Sequence, residues 1–465
     1  MNLERWIKRQ TKKKKENKLT STQLIAFGFL AVILLGTVLL MLPCMNRSGQ
    51  WTPFVDALFM ATTSVCVTGL SLVNVYQYWT LPGQMVILIL IQIGGIGVVA
   101  LATLFFMIMG KKVTLKSRLL LQESYNTNSL AGLVRMTRRI LFGIAVIEGI
   151  GAVLYCLQFI PQYGVLRGIW ISVFNSVSAF CNAGMDVMGG DSLAAYVTNP
   201  FINMITMSLI VLGGIGFFVW WDVIDVARKW RKTGIRNCAG KLNLHTKIVL
   251  VTTTALILIG AFFIFLLEYT NPDTLGRLSL GGKIQAALFQ SVTTRTAGFS
   301  SVNQAELRES SALISMILMF IGGSPVGTAG GVKTVTIALI GACTISVVKG
   351  EKEAIVFRRT IPRETINRAL AVFFISACAL VLMVLLMSIA QEAPLLTIVY
   401  EVVSALATVG LSRNFTAMLN PAAKLIIIFC MYIGRIGPIS MVIAFRIKGR
   451  KKNKISYPQE EVIVG

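Results

Sequence analysis

Charge is what this sequence has least of. Only 14% of its 465 residues are Asp, Glu, Lys or Arg, where soluble domains carry roughly a quarter. A chain so poor in charge cannot cover a water-facing surface of its own size. Acidic residues are scarcest, 20 against 44 basic ones, and there is a single histidine, His245, in a basic loop. One histidine and dispersed acids leave nothing from which to assemble a clustered catalytic centre, so a membrane enzyme is excluded. The eight cysteines, at 44, 66, 156, 181, 238, 343, 378 and 430, contain no CxxC pair. Neither a disulfide framework nor a metal site is indicated.

What is present is apolar. Hydrophobic residues make up 55% of the chain, and uncharged runs of about 20 residues, the length that crosses a hydrocarbon core of roughly 30 Å, recur along it. The first is Gln23 to Pro43 and the second Gln84 to Met109. The class is therefore a multi-pass, all-α membrane protein. A basic stretch, Lys8 to Lys18, precedes the first run. That run is too long for a signal-peptide core and lacks a small-x-small cleavage site, so it reads as a retained span.

The net charge of +24 is concentrated: segments 1–18, 111–139, 222–247, 349–368 and 446–454 hold 34 of the 44 basic residues. They alternate with nearly uncharged loops, the pattern of the positive-inside rule. This predicts eight crossings of the cell membrane with both termini cytoplasmic. It also assigns the charge to topology and anionic lipid rather than to nucleic acid.

The chain repeats itself. Four short segments run from an aromatic residue to a glycine: Phe59 to Gly69, Phe174 to Gly184, Phe289 to Gly298 and Tyr400 to Gly410. The glycines are 115, 114 and 112 residues apart, and the ring precedes them by ten, ten, nine and ten positions. A second motif follows each glycine: Gly94-Gly95-Ile96-Gly97, Gly213-Gly214-Ile215-Gly216, Gly322-Gly323-Ser324-Pro325 and Gly434-Arg435-Ile436-Gly437. Small residues inside an apolar helix allow close helix packing, which is a sufficient reading for the first two. The predicted unit is outer helix, half-length helix, glycine loop, inner helix. Four such units, 23–110, 111–221, 222–348 and 349–445, make a pseudo-fourfold bundle around one pore, between a basic N-terminus (1–22) and a C-terminal tail (446–465).

The half-length segments Pro53–Val65, Leu166–Phe180, Gly281–Thr294 and Pro394–Leu406 are too short to span and suit re-entrant helices. Their carboxyl ends present partial negative charge to a shared axis. Extended loops beyond them can offer backbone carbonyls in place of an ion's hydration shell. The candidate cation filter is Cys66-Val67-Thr68-Gly69, Cys181-Asn182-Ala183-Gly184, Arg295-Thr296-Ala297-Gly298 and Ala407-Thr408-Val409-Gly410.

With these four units the chain resembles the superfamily of K⁺ transporters that includes Trk, Ktr and plant HKT proteins, over nearly its whole length, and looks most like the Ktr membrane subunit. The resemblance implies K⁺ bound at carbonyls of the four filter glycines, with Na⁺ as a candidate activator and no cofactor in the chain. Where tetrameric K⁺ channels place tyrosine after the filter glycine, this chain has Leu70, Met185, Phe299 and Leu411.

The third inner helix carries one proline and five glycines within residues 322–334, enough to break it. One reading is a kink with tight packing. The other, implied by the resemblance, is an intramembrane gate formed by Gly322, Gly323, Ser324, Pro325, Gly327, Thr328, Gly330 and Gly331, with Lys333 at its inner end. Arg435, on the fourth inner helix, either blocks the pore electrostatically or anchors that loop. Glu148 and Glu401 are further intramembrane charges, structural or functional. On the outward loops nine acids, including Glu268 and Glu401, face seven bases, a slight bias toward drawing cations to a mouth.

The resemblance also implies a homodimer and a separate cytosolic ring of nucleotide-binding (ATP/ADP) subunits docked on the loops 111–139, 222–247 and 349–368. The rival to a pore is an ion-coupled symporter with alternating access. Such carriers usually have inverted repeats, whereas the four units here share one orientation.

Overall fold

The structure is a computed structural model that describes residues 21–98, 100–101, 119–122, 132–190, 192–233, 240–351 and 353–437. The basic N-terminus to residue 20, most of the loop 111–131 and the tail from 438, including Val462–Gly465, lie outside the described residues.

The described chain is almost wholly helical, and its order follows the predicted unit. The first unit is α1 (Ser21–Met41), the half-length α2 (Phe54–Val65) and α3 (Leu81–Ile96). The second is α4 (Leu133–Tyr163), half-length α5 (Val165–Cys181), then α6 (Pro200–Gly214) and α7 (Phe217–Thr233). The third is α8 (Leu244–Glu268), half-length α9 (Leu280–Thr293), then α10 (Glu309–Phe320) and α11 (Thr334–Val348). The fourth is α12 (Arg363–Ala390), half-length α13 (Leu395–Leu406) and α14 (Pro421–Ile436).

Local chemistry accounts for the helix starts. Pro53 and Pro394 sit immediately before α2 and α13, where proline's missing N–H is not needed. Asn199 caps α6 by accepting from Phe201 and Ile202, and Asn420 caps α14 by accepting from Ala423. Each of these helices then opens on a proline, Pro200 or Pro421. An asparagine cap followed by proline at the first helical position is a strong start signal.

The four outer helices α1, α4, α8 and α12 are the ones long and apolar enough to cross a membrane among the described residues. The inner helices are interrupted. α3 stops at Ile96, and Gly97 turns away at φ 94°. α6 and α7 meet at 100° around Gly216, at φ 91°. α14 stops at Gly437, at φ 92°. The glycine motif therefore does not sit within continuous helices, as packing alone would have it. Its last glycine adopts a backbone conformation that a side chain disfavours, and nothing lies within 4 Å of a Cβ at Gly97, so at that position conformation alone sets the requirement.

Packing passes from unit to unit in one direction. α3 packs on α5, α6 on α9, α10 on α13, and α14 returns to α2. Each inner helix thus contacts the half-length helix of the next unit, and the fourth closes on the first. The aromatic anchors Phe59, Phe174, Phe289 and Tyr400 are all 0% exposed at the centre of this arrangement. In the loop between α11 and α12 a two-residue hairpin pairs β1 (Ile355–Val356) with β2 (Arg359–Thr360). Its turn residues Phe357 and Arg358 both have positive φ.

Candidate functional site

Each half-length helix ends in the same backbone manoeuvre. Two residues before the glycine the chain turns left-handed, at Val67 (φ 55°), Asn182 (60°), Thr296 (65°) and Thr408 (53°). The glycines themselves have φ 98°, 64°, 79° and 96° at Gly69, Gly184, Gly298 and Gly410. Three of the four left-handed residues are β-branched, for which this region is a genuine outlier. Strain of this kind, about 1–3 kcal/mol per residue, persists only where the surroundings over-determine it.

The surroundings do so here. The N–H of Thr68, Ala183 and Val409 each bonds the carbonyl five residues back, on Thr63, Ser178 and Ser404. The hydroxyls of those same residues accept from the N–H of Gly69, Met185 and Gly410, each at 3.0 Å. In the third unit, one residue shorter between ring and glycine, Ala297 N–H bonds Thr293 four residues back, and the Thr293 hydroxyl donates to Phe299 O at 2.6 Å. This row of hydroxyls went unnoticed in the sequence. A Ser or Thr six positions before the glycine in three units, and five in the third, was the available signal.

The four segments meet in a closed ring. A Cβ on Gly69 would strike the Ala183 carbonyl oxygen, one on Gly184 that of Ala297, one on Gly298 that of Val409, and one on Gly410 that of Thr68. Each glycine is thus pressed against the residue preceding the glycine of the next segment. All sixteen expected residues belong to these segments, and their backbones converge. Cys66, Thr294 and Ala407 cap their helices, and Cys181 is the last residue of α5. The Arg295 side chain does not join the ring: it is buried behind it and donates to Gly322 O at 3.1 Å.

The residues between α10 and α11 fold beneath the ring. Ser324 and Thr328 donate their N–H to Gly214 O and Gly213 O, and Phe217 N–H bonds Val326 O. The Ser324 and Thr334 hydroxyls pair at 2.9 Å across the base of the loop. A Cβ on Gly330 would strike the Thr408 hydroxyl, and one on Gly327 the Gly213 carbonyl, so the loop fits under the ring because it has no side chains there. It is a folded-over loop, not a simple kink. Gly331 turns it back at φ 66°, and Gly323 N–H bonds Gly330 O across the reversal. Pro325 O lies against Gly216.

Three cationic side chains hold this loop through neutral carbonyls. Lys333 Nζ donates to Ala329 O at 2.7 Å, Arg295 to Gly322 O, and Arg435 to Thr328 O. Arg435 also reaches the α3 end at Gly94 O and Gly95 O. Among the described residues no carboxylate lies within ion-pair distance of the three. Of the two roles open to Arg435 from sequence, anchor and electrostatic block, the geometry builds the anchor.

The first glycine of the inner motif explains itself. A Cβ on Gly94, Gly213 or Gly434 would strike the carbonyl of Val65, Phe180 or Leu406, in each case four residues before the ring glycine.

Above the ring lies a cavity of about 420 Å³ lined by hydroxyls and amides, among them Ser71, Ser300, Asn303, Ser412 and Asn414. Two residues after the ring glycines stand Ser71, Asp186, Ser300 and Ser412, so one carboxylate belongs to this level. Two acids expected at the outward surface are not there. Glu268 is 0% exposed and satisfied by Asn271, Thr274 and the Arg308 N–H. Glu401, also 0% exposed, accepts from the Ser412 and Thr416 hydroxyls behind the cavity wall. Glu148 is buried against Gln92 and Cys181. Burial of a carboxylate requires such partners, and a surface tally of charge cannot see them.

Comparison with known proteins places these features. The family TrkH, described as cation transport protein, matches residues 2–456. The potassium/sodium uptake protein NtpJ of Enterococcus hirae is 39% identical over 98% of this chain and 99% of its own length. Ktr system potassium uptake protein B of Bacillus subtilis is 40% identical over 96% of this chain and 97% of its own. The crystal structure of the potassium transporter TrkH from Vibrio parahaemolyticus superposes with a TM-score of 0.69 at 19% identity, covering 90% of this chain and 85% of that one.

Proposed function

This chain belongs to the TrkH family of cation transport proteins, and we propose that it is the ion-translocating subunit of a Ktr-type K⁺ uptake system. It is a multi-pass membrane protein of a transport rather than an enzymatic family. The observation that carries the reading is the ring of four glycine segments, each pressed on the next and closing on itself. A ring of backbone carbonyls at the ends of four short helices is what replaces the hydration shell of a cation, and the helix ends add negative potential.

In this reading the chain crosses the cell membrane eight times in pseudo-fourfold order, with both termini cytoplasmic. K⁺ descends from the hydroxyl-lined cavity through Thr68-Gly69, Ala183-Gly184, Ala297-Gly298 and Val409-Gly410. The loop 322–331 is the gate, clamped by Arg435, Arg295 and Lys333. The interruption of every inner helix at its glycine motif supports the gate's position, since non-helical backbone at membrane depth survives where it is buried or lines a cavity.

The protein works as a homodimer, with a separate cytosolic nucleotide-binding ring on its basic face. Kinship with a subunit named for the Ktr system supports a regulatory partner. The relative named for both ions makes Na⁺ the candidate activator or second cargo.

The test is Rb⁺ and K⁺ flux into liposomes holding the purified chain, against Na⁺. Changing Gly184→Ser forces a side chain against Ala297 O at 2.6 Å and Gly298, and should lower K⁺ over Na⁺ discrimination. If Ser at each of the four glycine positions leaves discrimination intact, the ring is not the filter.

A further inference from the structure

Asn182 differs from its three counterparts at the left-handed position. Val67 has no polar side chain, and the hydroxyls of Thr296 and Thr408 have no hydrogen-bond partner. Asn182 engages both ends of its amide. Its Nδ2 donates to Arg295 O of the third ring segment at 3.4 Å, and its Oδ1 accepts from the Thr328 hydroxyl at 3.0 Å. Asparagine tolerates left-handed backbone better than other side chains, so this position carries an amide at little strain.

Thr328 is the other half of the joint. Its hydroxyl is shared between Asn182 Oδ1 and Phe180 O, its N–H bonds Gly213 O, and its own carbonyl accepts from Arg435. Every polar group of this one loop residue is therefore committed to the second unit or to the arginine of the fourth. Asn182 and Thr328 are each 1% exposed. Water cannot stand in for either partner while the loop is in place, and withdrawal of the loop must break the bond.

We propose that the Asn182–Thr328 hydrogen bond couples the filter to the gate, so that the ion held in the ring and the position of the loop each bias the other. This rests on the filter and gate reading above. The loop in place fixes the amide. The amide fixes the turn into Ala183 and Gly184 and touches the carbonyl of Arg295 in the adjacent segment. A ring held in this way keeps its K⁺ spacing, and a ring freed from the loop is softer. By linkage the converse follows: an ion that fits the ring with Asn182 docked favours the closed loop by the same factor. Asn182 is thus a specificity-determining residue through its side chain as well as its backbone, and Thr328 is a positioning residue for the filter from outside it.

The experiment is paired Rb⁺ and Na⁺ flux into liposomes for the full chain carrying Thr328→Val, Asn182→Leu, both together, and Thr328→Ser. One buried hydrogen bond corresponds to about a fivefold change. Thr328→Val should lower the Rb⁺/Na⁺ ratio about that much although it lies outside the ring, and Asn182→Leu should raise total flux similarly. The double variant should be no worse than the larger single one, and Thr328→Ser, which keeps the hydroxyl, should behave as wild type. Should Thr328→Val fail to purify as a monodisperse protein, Thr328→Ala is read in its place. The proposal is overturned if the gate variant alters flux alone, the ring variant alters the ratio alone, and the two effects multiply. Gly184→Ser run alongside separates the levels. If it too leaves the ratio unchanged, the filter reading has failed; if it changes the ratio while Thr328→Val does not, only the coupling has failed.

Discussion

Arg435 offers the sharpest perturbation of the proposed gate. Its guanidinium joins three elements: the loop at Thr328 O, and the end of α3 at Gly94 O and Gly95 O. Not all of this resists opening. The α3 end and α14 need not separate for the loop to withdraw, so their bonds are common to both states and shift no equilibrium. What is lost on opening is the bond to Thr328. A hydrogen bond from a charged donor contributes about 1.5–3 kcal/mol net, so Arg435→Met should raise the open-to-closed ratio roughly 10- to 150-fold.

The same substitution also removes a positive charge from the ion's route, which by itself would speed cation flux. Arg435→Lys separates the two effects. Lysine keeps the charge but has no fork, and reaches one carbonyl group where arginine bridges two elements. If anchoring dominates, the lysine variant leaks severalfold in a Rb⁺ flux assay; if electrostatic blocking dominates, it matches wild type. Flux of Arg435→Met within about twofold of wild type, in protein that folds and inserts normally, would refute the latch, because even the weakest charged hydrogen bond predicts more.

Three other changes test neighbouring parts of the reading. Deleting residues 322–331 should raise Rb⁺ flux well above that of Arg435→Met, since it removes the barrier rather than its clamp; unchanged flux in folded protein would reduce the loop to packing. Asp186→Asn should raise the K⁺ concentration needed for half-maximal uptake, more at low ionic strength than at high, because the carboxylate's field at the mouth is screened; a shift that is the same at both salts would assign Asp186 a local structural role instead. Reversing Arg358 and Arg359 to Glu at the hairpin between α11 and α12 should abolish nucleotide-dependent flux while basal flux and insertion persist; normal ATP and ADP switching in that variant would move the docking surface elsewhere.

The sequence made the four units legible because their signals are local. Pro53 and Pro394 mark helix starts, the aromatic-to-glycine spacing marks helix ends, and the single residue missing in the third unit reappears as a four- rather than five-residue turn at Ala297. What it hid depends on distance. The interruption at Gly97 and Gly437 was hidden because a glycine chosen for positive φ looks the same as one chosen for close packing. Glu401 was miscounted as an outward charge because its partners, Ser412 and Thr416, lie beyond the ring segment. Glu268 was miscounted although Asn271 and Thr274 follow within six residues; short polar side chains clustered after a carboxylate at a helix end were a readable hint. The handover of each inner helix to the next unit's short helix is a register between repeats, and no single repeat contains it.

One feature of the ring joins energetics to selectivity. Its residues before the glycine are Thr68, Ala183, Ala297 and Val409, side chains with little in common, yet the backbone follows one course in all four. The loop residues therefore do not dictate the shape. The frame does: the helix hydroxyls bonded to the turn, and behind them Phe59, Phe174, Phe289 and Tyr400, each wholly buried, the last also donating to Gln304 at 3.0 Å. Burying one such ring stabilises by about 1.5–3 kcal/mol, the same size as the strain of about 1–3 kcal/mol at each left-handed residue. The anchors offset the strain position by position. Because the strained turn is held by this frame and not by its own preferences, a smaller ion cannot collapse the ring without also displacing an aromatic residue from the core. Discrimination in the proposed filter then resides in how stiffly four short helices are seated, and weakening an anchor ten residues away should erode it as surely as altering the loop.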